Sequence, residues 1–214
     1  MTDFVGHSGD GMIWGLDGTP SYATARSTST NFDITDTRMR VGQFSKADLT
    51  PTVQIWRDFL KFDTSDLSES ATISSVKLGL TVQTDNSSRD FDVQIVKQDW
   101  SSQDPITSGT REAAYDGCLA GTADNSIWRN TSGISTNTPY ESGELDTTWV
   151  NKTGITYYSL RSSKDYDNNA PPSSPVANED IWLYTNENTT AAYRPYLVIQ
   201  YNLNHMKVMM KIHA

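Results

Sequence analysis

The chain has 214 residues, enough for one large all-β domain with a real core. Only 36% of its residues are hydrophobic, yet 10% are aromatic and the apolar positions are patterned, which excludes a disordered chain. A formal charge of −9, from 26 acidic against 17 basic residues, argues against a nucleic-acid or anionic-membrane surface, because both require clustered Lys and Arg.

Residues 1–20 carry Gly6, Gly9, Gly11, Gly15 and Gly18, a density that reads as an irregular N-terminal arm. Met12, Ile13 and Trp14 form its one apolar knot and are expected to anchor it. Met1-Thr2-Asp3-Phe4 has neither a basic start nor an apolar run, so no signal peptide is expected. No segment approaches the ~20 apolar residues of a membrane-spanning helix. Between Tyr22 and Phe44, Tyr22, Ala23, Ala25, Phe32, Ile34, Met39, Val41 and Phe44 are spaced by Thr and Ser, which predicts two short strands.

The centre of the chain is residues 56–82. Leu60 and Phe62 sit on a short strand that breaks at Asp63-Thr64-Ser65-Asp66, residues whose side chains hold turns. Val76, Leu78, Leu80 and Val82 then alternate with Lys77, Gly79, Thr81 and Gln83, placing four aliphatic side chains on one face of a strand. A strand with one dry face needs a second layer to cover it. Phe91, Val93 and Ile95 predict the next strand, and the polar loop 84–88 predicts that the two form an antiparallel hairpin.

The long polar stretch 100–146 is expected to hold a short helix over 111–119 and a strand at Ile127–Trp128. Further strands are predicted at 148–150 and 155–160, then, after a Pro-rich loop at 168–175, at 181–184 and 196–201. Met206, Val208, Met210 and Ile212 alternate with Lys207, Met209, Lys211 and His213. Such a segment can complete a neighbour's sheet by strand addition, or pair with its own edge strand. Eight or more short strands between turn signals predict an all-β fold, an antiparallel β-sandwich of jelly-roll type with long loops. The expected division is an arm at 1–20, a jelly-roll domain at 21–203 and a C-terminal extension at 204–214.

Few residues carry chemistry. Gly6-His7-Ser8-Gly9-Asp10 falls short of the nucleophile elbow, which needs Gly at position 10. Cys118 is the lone cysteine, and His7, His205 and His213 all lie near the termini, so Cys118 reads as a small buried hydrophobe. No catalytic residue and no cofactor is expected. One metal remains open, a structural Ca²⁺ in the loop Asp165-Tyr166-Asp167-Asn168-Asn169, although Ala170 and Val176 stand where an EF-hand needs Gly and Glu. Trp14, Trp56, Trp100, Trp128, Trp149 and Trp182, helped by Tyr115, Tyr157, Tyr158 and Tyr184, offer stacking faces for sugar rings. In a sandwich most Trp are core or interface anchors.

Several blocks resemble the DNRLRE-type domain, a β-jelly-roll family related in shape to carbohydrate-binding modules. They are Phe59-Leu60-Lys61-Phe62-Asp63-Thr64-Ser65, Ala71-Thr72-Ile73-Ser74-Ser75-Val76-Lys77-Leu78, Trp149-Val150-Asn151-Lys152-Thr153-Gly154, Ser159-Leu160-Arg161-Ser162-Ser163-Lys164-Asp165, and the closing Tyr193-Arg194-Pro195-Tyr196-Leu197-Val198-Ile199-Gln200-Tyr201. The resemblance spans roughly residues 12 to 203. Such domains occur in bacterial and archaeal surface proteins and in bacteriophage particles. It implies a virion location and a non-enzymatic structural protein, a capsid decoration or tail-associated protein. Its expected partners are other virion proteins and further copies of itself, with host glycans as a further option. Assembly is expected through Met12, Ile13 and Trp14 of the first arm and Met206, Val208, Met210 and Ile212 of the last. The other implied reading is a carbohydrate-binding module of a surface or receptor-binding protein.

Overall fold

A computed structural model describes residues 9–17, 21–47, 51–172, 176–203 and 206–213. Its strands are β1 (Gly11–Asp17), β2 (Asn31–Asp33), β3 (Arg38–Lys46), β4 (Thr52–Asp63), β5 (Thr72–Asp85), β6 (Asp92–Lys97), β7 (Thr122–Asn130), β8 (Pro139–Glu141), β9 (Ile155–Ser162), β10 (Val176–Tyr184), β11 (Tyr196–Leu203) and β12 (Met206–His213). Three helices join them: α1 (Tyr22–Ser27), α2 (Arg111–Ala120) and α3 (Ser163–Tyr166). Hydrogen bonding connects the strands in the order β12-β11-β5-β10-β3-β4-β9-β6-β7; β1 and β8 attach to β4 and β5, and β2 attaches to β1.

The all-β antiparallel architecture is as expected, and the sheet folds over on itself around one core. Val76, Leu78, Leu80 and Val82 are fully buried, as their alternation requires. With Leu197 and Ile199 of β11 and Ile212 of β12, they meet Met39, Val41, Leu60, Phe62, Val93, Ile95 and Leu160 from the facing strands. Each such side chain contributes roughly 1.5–3 kcal/mol by leaving water. β5 serves both layers, pairing with β11 along its first half and with β10 at its end, where a register shift marks the bend.

β4 is dry on both faces. Trp56, Leu60 and Phe62 point into the main core, while Val53, Ile55 and Phe59 point outwards beneath α1 and α2. Two smaller clusters form there: Ile13, Phe59, Val96, Trp100, Ala114, Tyr115 and Cys118 under α2, and Ala25, Val53 and Ile55 under α1. The polar residues of this outer face are tied to the backbone of α2. Gln98 donates to the Ala114 carbonyl at 2.8 Å, and Arg161 donates to the carbonyls of Cys118 and Leu119 at 2.8 and 2.7 Å. The Cys118 and Leu119 carbonyls are orphan carbonyls of the helix C-terminus, and a cation is their natural partner.

Several local expectations differ from the fold. Residues 11–17 are not an irregular arm but strand β1, paired with β4 from Gly11↔Phe59 to Asp17↔Val53. Its glycines answer close approach rather than flexibility: a Cβ on Gly11 would collide with the Asp33 carbonyl, and one on Gly15 with the Ala25 carbonyl. Residues 22–27 form α1 rather than a strand, capped by the Ser21 hydroxyl, which accepts from the Thr24 amide at 3.2 Å. The expected β5–β6 hairpin is absent: β6 pairs with β7 and β9 instead. Thr147–Trp149 is a single 3₁₀ turn. The helix expected over 111–119 is α2, and Ile127–Trp128 lies within β7.

Candidate functional site

The residues expected to carry assembly are largely occupied within the chain. Met12 and Ile13 are buried, Ile212 is buried, and Trp14 and Met210 pack half-buried against the main core. Met206 and Val208 lie on β12, but their side chains fall outside the described residues. The C-terminal extension runs antiparallel to β11 from Tyr196↔His213 to Leu203↔Met206. Of the two readings open for this segment, pairing with its own edge strand is the one found.

β12 in turn becomes the edge. Among the described residues it pairs with β11 alone, so the other side of the strand has no partner strand there. It is eight residues long, without Pro, and the side chain of Met209 is 68% exposed. Lys211 lies over the Tyr196 ring at 3.6 Å. A regular edge of this length is a template for another strand.

The loop considered for calcium has a different use. Asp165 sits on α3, buried, with its carboxylate bound by Arg57 at 2.7 Å and 3.0 Å and by Arg26 at 3.3 Å. Cys118 is fully buried, its thiol 3.7 Å from the Leu160 carbonyl and pushed up to about 11 by burial, far from a reactive thiolate. Asp58 faces the main core with both carboxyl oxygens lacking a hydrogen-bond partner among the described residues, and burial raises it well above the usual carboxylate range.

The tryptophans form no exposed row. Trp56, Trp100 and Trp128 are buried, and Trp182 is half-covered by Arg38 and Arg40. Trp149 and Tyr157 line a cleft of about 190 Å³ together with Asp99, Ser101 and Asn151. It is smaller than the roughly 300–1,000 Å³ pockets that hold drug-sized ligands. Its walls are held from behind. The Trp149 indole donates to the Tyr157 carbonyl at 2.7 Å, and the Tyr157 ring packs edge-on against Trp100 at 4.7 Å. Burial, with Asp104 accepting the Tyr157 hydroxyl hydrogen at 3.2 Å, pushes that phenol up to about 12. Asp146 caps the 3₁₀ turn that carries Trp149 by accepting from the Thr148 amide at 2.9 Å, and Lys97 holds Asp146 well below the usual carboxylate range.

The sequence pointed to Trp149 and Tyr157 as stacking faces and to Asn151 only within a block that resembles the DNRLRE-type domain. Asp99 and Ser101 were not singled out by the sequence; the Ser101 amide donates to Asp99 at 3.0 Å. No family model matches the chain, and no curated protein matches it in sequence.

Proposed function

We propose that this chain is a non-enzymatic structural protein of a bacteriophage particle, a capsid decoration or tail-associated protein with a jelly-roll body. The observation that carries the reading is the open edge of β12. The resemblance of residues 12–203 to the DNRLRE-type domain supports the setting. With Met12, Ile13 and Ile212 buried in the body, the surface left for a neighbour is the backbone edge and the face bearing Met209. The partner is a strand of another virion protein or of a second copy.

Successive residues on a strand direct their amides to opposite sides, so of Met209→Pro and Met210→Pro one removes an amide from the open edge and the other breaks pairing with β11. The edge-side variant is expected to stay folded while the native mass by sedimentation falls from oligomer to monomer. A wild-type chain that is monomeric at every concentration, or an edge-side variant with unchanged mass, would sink assembly through β12.

A second reading, glycan binding, rests on the Trp149–Tyr157 cleft. Stacking on an aromatic face together with hydroxyl contacts to Asp99 and Ser101 suits one sugar ring. Trp149→Ala is then expected to reduce binding on a glycan array at least tenfold, with Asp99→Ala weakening it less. An array on which the wild-type protein binds nothing removes this reading.

A further inference from the structure

Where the chain enters β1, Asp10 meets the loop residues Asn186 and Glu187. Asp10 is fully buried, and its Oδ2 accepts from the Asn186 amide at 3.0 Å. Glu187 accepts from the Gly9 amide through Oε1 at 3.2 Å. The remaining oxygens, Asp10 Oδ1, Glu187 Oε2 and Asn186 Oδ1, are all buried and have no hydrogen-bond partner among the described residues. Asn186 is itself 8% exposed. The Asp10 and Glu187 carboxyl groups interact directly, and burial followed by the Glu187 charge raises Asp10 well above the usual carboxylate range.

Among the described residues no side-chain cation compensates them. Lys61 lines the adjoining cavity, but its ammonium is bound to both oxygens of Asp104 at 2.8 and 3.0 Å. Two carboxyl groups in contact, with a buried, unpartnered oxygen on each and no counter-charge among the described residues, are relieved by a shared proton or by a cation. A shared proton bridges one oxygen of each carboxyl. It leaves the Asn186 carbonyl oxygen still without a donor, at a cost of about 1–3 kcal/mol. A cation satisfies all three.

We propose that Asp10, Asn186 and Glu187 form a divalent-cation site, with Ca²⁺ as the preferred ion. The donors are all oxygen, which selects hard cations over zinc or copper. Their positions come from a strand entry and a loop after β10, an irregular geometry that Ca²⁺ tolerates better than Mg²⁺. Among the described residues no group of three His, Cys, Asp or Glu side chains could hold a metal. The site therefore uses two carboxylates and one amide, and completes its shell with water. The adjoining cavity of about 310 Å³, lined by Gly9, Ile34, Thr35, Lys61, Pro105 and Glu187, supplies that water and an entry path. The ion would pin the start of β1 to the β10–β11 loop, and the proposal does not depend on what the particle or glycan tests find.

The test is thermal unfolding of the chelator-stripped full chain at neutral pH, with and without CaCl₂, alongside calorimetric titration with CaCl₂. Saturating Ca²⁺, about 100-fold over Kd, is expected to raise the midpoint by roughly 5–10 °C, with one ion bound per chain. MgCl₂ is expected to do less. Asp10→Asn and Glu187→Gln keep the side-chain shapes and relieve the charge pair, so each is expected to fold without metal and to lose the Ca²⁺ shift. A wild-type midpoint indifferent to CaCl₂, with no heat of binding, overturns the proposal and leaves the shared proton. A Ca²⁺ shift that survives in both variants overturns the placement of the site.

Discussion

Arg57→Ala is expected to destabilise the protein by about 3–5 kcal/mol, the range for breaking one side of a buried ion pair. At this chain length that is a fall of roughly 10 °C in the unfolding midpoint. Arg57 is fully buried on the outer face of β4. Its guanidinium grips Asp165 of α3 through two nitrogens, donates to the Arg26 carbonyl of α1 at 2.9 Å and to the Tyr115 carbonyl of α2 at 2.8 Å, and stacks on the Tyr115 ring at 3.8 Å. One side chain thus ties three helices to one strand. Its loss leaves the Asp165 carboxylate buried with only the partly exposed Arg26 beside it, and two carbonyls without their donor. The double variant Arg57→Met with Asp165→Leu separates charge from packing. If the stranded charge dominates, the double variant recovers most of the loss; if it is no more stable than Arg57→Ala, packing geometry dominates and the ion-pair account fails. Urea unfolding at neutral pH measures both.

Trp100→Ala is expected to cost about 3–5 kcal/mol, the usual toll of emptying a large aromatic site. Trp100 is completely buried between Phe59, edge-on at 5.8 Å, and Tyr157, and its indole donates to the Tyr158 carbonyl at 3.1 Å. Trp100→Phe keeps most of the contact area and drops the hydrogen bond, whose net worth is on the order of 1 kcal/mol, so the Phe variant is expected to fall between wild type and Ala. Equal losses for Phe and Ala in the same urea titrations would mean that the hydrogen bond, not the volume, anchors the site. Because Tyr157 leans on Trp100 and forms one wall of the aromatic cleft, the cavity is also expected to loosen that wall, so any glycan bound there should be lost with it.

β5 and β11 were legible because each has one dry face: the alternation of Val76, Leu78, Leu80 and Val82, and of Leu197 and Ile199, is a direct record of burial. β4 was only half legible. Both of its faces are covered, so apolar residues occur at both parities and the period-two signal vanishes. Arg57 and Asp58 sit in its middle and read as solvent-facing, whereas both are fully buried. The partner that allows Arg57 to be buried, Asp165, lies 108 positions later. No local pattern encodes such a pair.

The same limit governs the candidate sites. Alternation along residues 206–213 established a strand, but whether its partner is a neighbour or β11 is a matter of which edge lies nearest in space, and it was settled by β11. A polar loop between two alternating runs predicted a β5–β6 hairpin, yet the two strands pair elsewhere because β5 is taken by β8, β10 and β11. Asp10 and Glu187 are separated by most of the chain and carry no motif. The sequence by itself determined the fold class, the faces of the one-sided strands and α2. Only the tertiary structure decided strand partners, the burial of Arg57, and the meeting of Asp10 with Asn186 and Glu187. Burial periodicity is a property of consecutive residues, whereas pairing and charge compensation are properties of residues brought together only when the sheet folds over.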